Sequence, residues 1–267
     1  MKQGFIADFA FVCRARSQGN YICAKVRPYQ DNLSCSAYPA EVQDERGLMN
    51  YGRMLWYDTF FIHWRAPIAQ LEPRIPAGLS LDLFNGDAYV SLVALRAIGP
   101  SPGLLLPLSS IFLKYNQLNV RTYVKADTGR GIVLLNTQVD RILPALGARI
   151  FGMPYHFACG LDFNIRDDHV VINTPDIKGD IDMADPFTPS EGSLESFLTD
   201  RFWVYARAPV GKVYGVKIKH APWRLRPVKL NNMLSFSITG FGDASEPVSA
   251  YIAENVDVSM VEVAMVR

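Results

Sequence analysis

From residue 54 onward the chain alternates apolar and polar positions in short bursts. The segments "AYVSLVALRAI", "QLNVRTYVK", "GIVLLNTQV", "HVVIN", "FWVYARA", "KVYGVKIKH" and "ENVDVSMVEVAMV" are rich in β-branched and aromatic residues. Each is bounded by Gly, Pro, Asn or Asp, so each is expected to be a strand. Three stretches follow helical spacing instead. Ile68, Leu71 and Ile75 predict one short helix despite Pro73. Leu143, Leu146 and Ile150 predict a second that stops at Gly152. Leu194, Leu198 and Phe202 predict a third, with Ser193 as its cap. Many strands and few helices point to a mainly β, α+β domain with a barrel-like sheet, not a doubly wound one.

Residues 1–53 lack any sustained period of 2 or 3.6 and mix turn formers with charges. They are expected to be an unpatterned N-terminal extension, disordered or lying upstream of a natural start at Met54, with residues 54–267 as one β-rich domain.

Composition narrows the function classes. The formal net charge of the 267-residue chain is +1 and 20% of its residues are charged, so the basic stripe that nucleic-acid binding requires is missing. No run of about eighteen apolar residues occurs, so no spanning helix and no membrane partner is expected. Three of the four cysteines, Cys13, Cys23 and Cys35, fall in the first fifty residues without a CxxC pair, which fits a reducing, cytoplasmic compartment. No His, Asp and Glu combination has metal-ligand spacing, and neither a GxSxG elbow nor a glycine-rich phosphate loop is present; no metal or cofactor is expected. A homo-oligomer stays open.

The polar faces of the strands hold the candidate chemistry. In "YNQLNVRTYVK", period two puts Leu118, Val120, Thr122 and Val124 on one face and Gln117, Asn119, Arg121 and Tyr123 on the other. That second face either meets water or lines an internal cavity. In the cavity case Arg121 needs an anionic partner, because an unpaired buried charge costs several kcal/mol. In "TFFIHWRAP", His63 and Arg65 share one side of a strand, a pair that suits a carboxylate or enolate and equally a solvated rim.

Taken together, "MLWYDTFFIHWRAPIAQLEPRIPAGLSLDLFNGDAYVSLVALR", "QLNVRTYV", "FGMPYHFA", "SLESFLTDRFWVYA" and "HAPWRL" resemble successive motifs of the YqjF-like family of uncharacterised proteins, whose members are similar in fold to acetoacetate decarboxylase. The resemblance covers roughly residues 54 to 230 and implies a cone- or barrel-like fold around an enclosed cavity. "GARIFGMPYHFA" is similar to the decarboxylase segment in which two adjacent lysines follow a proline, the first forming a Schiff base with the keto acid. Tyr155 and His156 occupy the matching positions here, and neither can form an imine. The decarboxylase glutamate is matched by Gln117, which exchanges no proton near neutral pH. The resemblance therefore implies the fold without the decarboxylase reaction.

Three readings follow. Tyr155 or His156 serves as the acid or base of an enzyme that uses no Schiff base, of lyase or isomerase type, with Tyr155 matching the imine lysine. Alternatively the cavity holds an anionic or aromatic ligand, a small organic acid or enolate-type molecule, without chemistry, clamped by Arg121 together with Arg65. In the third, Tyr155 and His156 are core residues of a scaffold module. Arg201, Tyr205, His220 and Trp223 are weaker candidates: Arg201 equally suits capping of helix carbonyls, and Trp223 beside Pro222 equally suits a packed turn.

Overall fold

The computed structural model describes residues 51–101, 114–166, 168–173, 177–233 and 246–267; residues 1–50, on which the expectation of an N-terminal extension rests, lie outside the described residues. The first half of the fold comprises β1 (Gly52–Ala66), α1 (Ile68–Leu71), β2 (Ser80–Leu81), β3 (Ala88–Ser101), β4 (Lys114–Ala126), β5 (Gly129–Val139), α2 (Ile142–Ile150) and β6 (Tyr155–Phe157). It continues with β7 (Phe163–Ile165), β8 (His169–Ile172), β9 (Ile177–Ile181), α3 (Leu194–Thr199), β10 (Trp203–Arg207), β11 (Val213–Lys219), β12 (Leu225–Met233), β13 (Ser249–Ala253) and β14 (Val256–Met265).

Strand pairing runs β14–β11–β10–β5–β4–β3–β1, and β14 also pairs with β1, so these seven strands close into a ring. All their contacts are antiparallel except β5–β10. Beginning at Gly52, β1 takes in two residues that the sequence pattern assigns to the extension, pairing Gly52 with Met260 and Arg53 with Ser259. Beyond Asp58 it turns to a different neighbour, β13, and through it to a second sheet, β13–β12–β9–β8–β7.

Two cores result. Val90, Leu92 and Ala94 of β3 pack outward against Phe163, Ile172 and Ile177 of the second sheet, while Val93, Leu95 and Ala97 face into the ring. Burial on both faces explains why β3 reads as a nearly unbroken apolar run. Asp58, at φ 51°, marks an extra residue in β1 opposite β3. Such a bulge flips the facing of every later side chain. Accordingly Met54 and Trp56 reach the ring interior before it, and Thr59 and Phe61 after it.

The three helical stretches form, but not all bury the expected face. Residues 68–75 give one short turn of α-helix and then a 3-10 turn at Glu72–Arg74, with Leu71 fully buried and Ile68 at the surface. In α3 the Ser193 Oγ accepts the Ser196 N–H at 3.1 Å; Leu198 is buried, and Phe202 lies past the helix end and is partly exposed. The expected core stripe of α2 stays exposed instead: Leu146 and Ile150, 54% and 71% exposed, lie on the outside, and Leu143, 66% exposed, stands at the rim of the ring interior, whereas Ala145 is buried. A helix laid across the end of a ring buries only its narrow small-residue side.

Candidate functional site

The ring surrounds a cavity of about 640 Å³, within the range of roughly 300–1,000 Å³ that suits small-molecule sites, and it opens to solvent at the α2 end, where Leu143 and Phe151 of its lining are exposed. Its walls come from all seven ring strands together with α2 and the β6 segment. Most of the lining is apolar. The longest polar strip comes from β4, which turns Gln117, Asn119 and Arg121 inward by simple alternation; Thr59 of β1 and Tyr155 of β6 add to it.

Arg121 is only 8% exposed. Its Nη2 donates to the Leu198 carbonyl at 3.0 Å, and the guanidinium lies 5.4 Å from the Phe61 ring centre and 5.9 Å from that of Tyr123. Its Nε has no hydrogen-bond partner, and no carboxylate stands among the described residues that line the cavity. Thr59 Oγ1 and Asn119 Oδ1, on the same lining, are likewise buried without partners. An arrangement of this kind is costly unless something with complementary charge fills the space.

Tyr155 lies on β6, which runs parallel to β5 and pairs Tyr155 with Thr137. Its hydroxyl donates to Gln117 Oε1 at 3.2 Å, and burial pushes its pKa up to about 12, only partly opposed by that hydrogen bond. The phenol is thus a proton-bearing donor at neutral pH and not a base. His156 points the opposite way and is exposed, as neighbours on a strand must. Tyr115 also reaches the cavity, and burial first, then Tyr155, raises its pKa well above the ordinary tyrosine value.

Behind the lining, His63 is fully buried. Its Nδ1 lies 2.6 Å from Ser91 Oγ, Ser91 in turn meets the Tyr123 hydroxyl, and Tyr123 donates to the Leu198 carbonyl at 2.9 Å. Burial, then the nearby Arg121 charge, hold the imidazole pKa well below its usual value. Leu198 O therefore receives both Arg121 and Tyr123, tying α3 to β4. Arg65, sharing a side with His63 in the sequence pattern, emerges at the surface and pairs with Asp87 at 3.0 Å instead of joining the cavity.

The remaining sequence-derived candidates separate. Trp223 lines the cavity, edge-on to Phe61 at 5.4 Å, with its Nε1 donating to Thr199 O at 3.1 Å. His220 packs on Trp223 at 4.8 Å but keeps its Nδ1 on the Ala221 carbonyl, 2.7 Å away, and burial lowers its pKa. Arg201 lies elsewhere: it donates to Asp82 and to Phe197 O, both at 2.6 Å, with its charge 4.0 Å from the Phe197 ring centre. Asp82 is buried, which would raise its pKa, yet hydrogen bonds from Arg130 and Arg201 bring it below the usual carboxylate value. Tyr205 bonds Thr128 and Gly129 O in a separate cluster with Trp203. Sequence reasoning did not single out Thr59, Tyr115 or Trp56 for the cavity. The signal for Tyr115 was the β4 alternation that it shares with Gln117, Asn119 and Arg121; for Trp56 and Thr59 it was Asp58, a residue type that tolerates a left-handed turn and so can host the bulge that reassigns β1's faces.

Among the described residues no cluster of three or more His, Cys, Asp or Glu is placed to hold a metal ion, and no helix is long and apolar enough to cross a membrane.

A closed, cavity-bearing ring of this kind is the acetoacetate decarboxylase-like fold. The chain matches acetoacetate decarboxylase from Legionella pneumophila at a TM-score of 0.55 and 14% identity, over 81% of this chain and 88% of that one. It matches the enduracididine biosynthesis enzyme MppR complexed with pyruvate at a TM-score of 0.57 and 9% identity, over 83% and 93%. Within that fold the chain belongs to the DUF2071 family, described as an uncharacterized conserved protein (COG2071), which matches residues 53–257. It is 31% identical over 189 residues to the "Uncharacterized protein YqjF" of Bacillus subtilis (strain 168), covering 65% of this chain and 74% of that relative.

Proposed function

We propose that the ring cavity binds an organic acid whose carboxylate pairs with Arg121. The observation that carries this is a guanidinium 8% exposed, with an unpartnered Nε and no carboxylate among the described lining residues. A bound carboxylate supplies the missing charge and accepts the free N–H. The MppR neighbour complexed with pyruvate is consistent with an acid in a cavity of this fold. Imine chemistry is not proposed: Tyr155 and His156 follow Pro154, and no lysine stands among the described residues lining the cavity.

A catalytic variant of this reading rests on Tyr155. A phenol held protonated inside the cavity can donate to an oxyanion that develops on a bound acid, whereas exposed His156 is out of reach. In this variant Tyr155 acts as a donor only, and Arg121 positions the substrate.

Thermal unfolding in the presence of a panel of small organic acids, pyruvate included, tests the proposal. At least one acid is expected to raise the midpoint of the wild type and leave that of Arg121→Ala unchanged. Removing one partner of a buried charge pair costs on the order of 2 to 5 kcal/mol, so the ligand effect should vanish at practical concentrations. Equal stabilisation of the two proteins would place the acid away from Arg121 and overturn the reading.

A further inference from the structure

The strand register lays the cavity out along β4. Arg121 stands level with Ser91 and His63, Asn119 with Val93 and Phe61, and Tyr115 with Ala97 and Trp56. Six residue-to-residue steps of strand separate Arg121 from Tyr115, about 20 Å at ~3.3 Å per step. Arg121 is the last β4 residue of the lining strip, its guanidinium between the Phe61 ring at 5.4 Å and the Tyr123 ring at 5.9 Å, so the charge sits at one extreme of that strip. Aromatic walls fill the interval. Phe61 faces the guanidinium, Trp223 stands edge-on to Phe61, and Trp56 lies parallel to Trp223 at 6.5 Å. At the far extreme the buried Trp56 Nε1 donates to nothing.

A three-carbon acid on Arg121 would leave most of this volume as water against apolar walls, an arrangement apolar surface disfavours. Building on the organic-acid reading, we infer that the ligand is an elongated amphipathic acid. Its carboxylate is seated on Arg121, and its aliphatic or aryl body runs along Phe61, Trp223 and Trp56. The Tyr155–Gln117 pair, roughly two-thirds of the way along the strip, is placed for a polar group in the body of the molecule and not for the carboxylate itself.

Calorimetric titration with straight-chain monocarboxylates from acetate to decanoate, and with the matching primary alcohols, tests this on wild type, Arg121→Gln and Ala148→Trp. Ala148 lines the cavity from α2, so the tryptophan fills part of it. In wild type, affinity for the acids should rise roughly fourfold per methylene until the cavity is full. The alcohols should bind more weakly at every length, Arg121→Gln should erase the difference between acid and alcohol, and Ala148→Trp should end the rise at a shorter chain. Circular dichroism checks that both variants fold, and the wild-type series decides the question without them. Affinity independent of chain length, with Arg121 still required, would overturn the elongated ligand while leaving the organic-acid reading intact. A rise with length that is equal for acids and alcohols and indifferent to Arg121→Gln would overturn the organic-acid reading itself. Absence of binding by every member would overturn both.

Discussion

At the scale of single residues, the cavity is defined by where hydrogen-bond capacity goes unused. Tyr155 spends its proton on Gln117, and the burial that raises its pKa to about 12 has a consequence for stability. A folded-state pKa above the unfolded value of 10.0 means that the folded protein holds the proton more tightly. The associated stability is fully present below about pH 10 and is lost as pH rises toward about 12. Tyr251, also raised to about 12, contributes in the same direction. Tyr155→Phe should therefore lose less stability than wild type between about pH 9 and pH 12, with little difference between the two slopes near neutrality. Denaturant titrations at several alkaline pH values measure this. Parallel losses in the two proteins would mean that the Tyr155 hydroxyl titrates as if in water. His63 works in the opposite sense: its depressed pKa gives stability present above the unfolded value of 6.5 and lost as pH falls.

At the scale of elements, α2 is held where it lies by its last turn. Gly152 adopts φ 79°, its N–H bonds Arg149 O at 2.9 Å, and a Cβ there would come within 2.0 Å of the Arg207 carbonyl. Gly152→Ala should cost more than about 1 kcal/mol, because backbone strain and a backbone clash act together. It should also weaken ligand retention, since Leu143, Pro144, Gly147 and Ala148 of the same helix line the cavity. Equilibrium unfolding of the variant checks the first effect; a loss within experimental error would show that the α2–β10 contact yields freely. The existence of α2 and its stop at Gly152 are legible in the sequence because spacing and glycine are local signals. Its buried face is not, since that depends on which side of the ring the helix meets; Leu146 and Ile150 end up outside. The alternation of Gln117, Asn119 and Arg121 is equally local, and β4 keeps it. Along β1 the same rule holds only on each side of Asp58. The sharing of a side by His63 and Arg65 predicts a common face but not a common environment, because the strand runs on past the cavity before Arg65 is reached.

At the scale of the whole molecule, the cavity exists because the sheet closes, and closure depends on β14. This strand pairs with β11 along one edge and with the first half of β1 along the other, and it contributes Met260 and Val263 to the lining and Val258 to the ring core. Removing residues 256–267 would leave Gly52–Trp56 and β11 with unpaired edges. It would also open the cavity to water beside Trp56 and Tyr214. A ring with one strand missing is an open sheet with two long apolar edges, the arrangement most prone to pair with another chain. Truncation after Asn255 should therefore abolish cooperative unfolding and yield aggregation-prone protein, whereas truncation after Met265, the last strand residue, should leave the midpoint within a few degrees of the full chain. Thermal unfolding followed by circular dichroism, with light scattering recorded alongside, distinguishes the two. A cooperative transition in the shorter chain would show that the β1–β14 contact is dispensable. The cavity would then be walled by the remaining six strands alone, and the far end proposed for the ligand's apolar body would have to lie elsewhere.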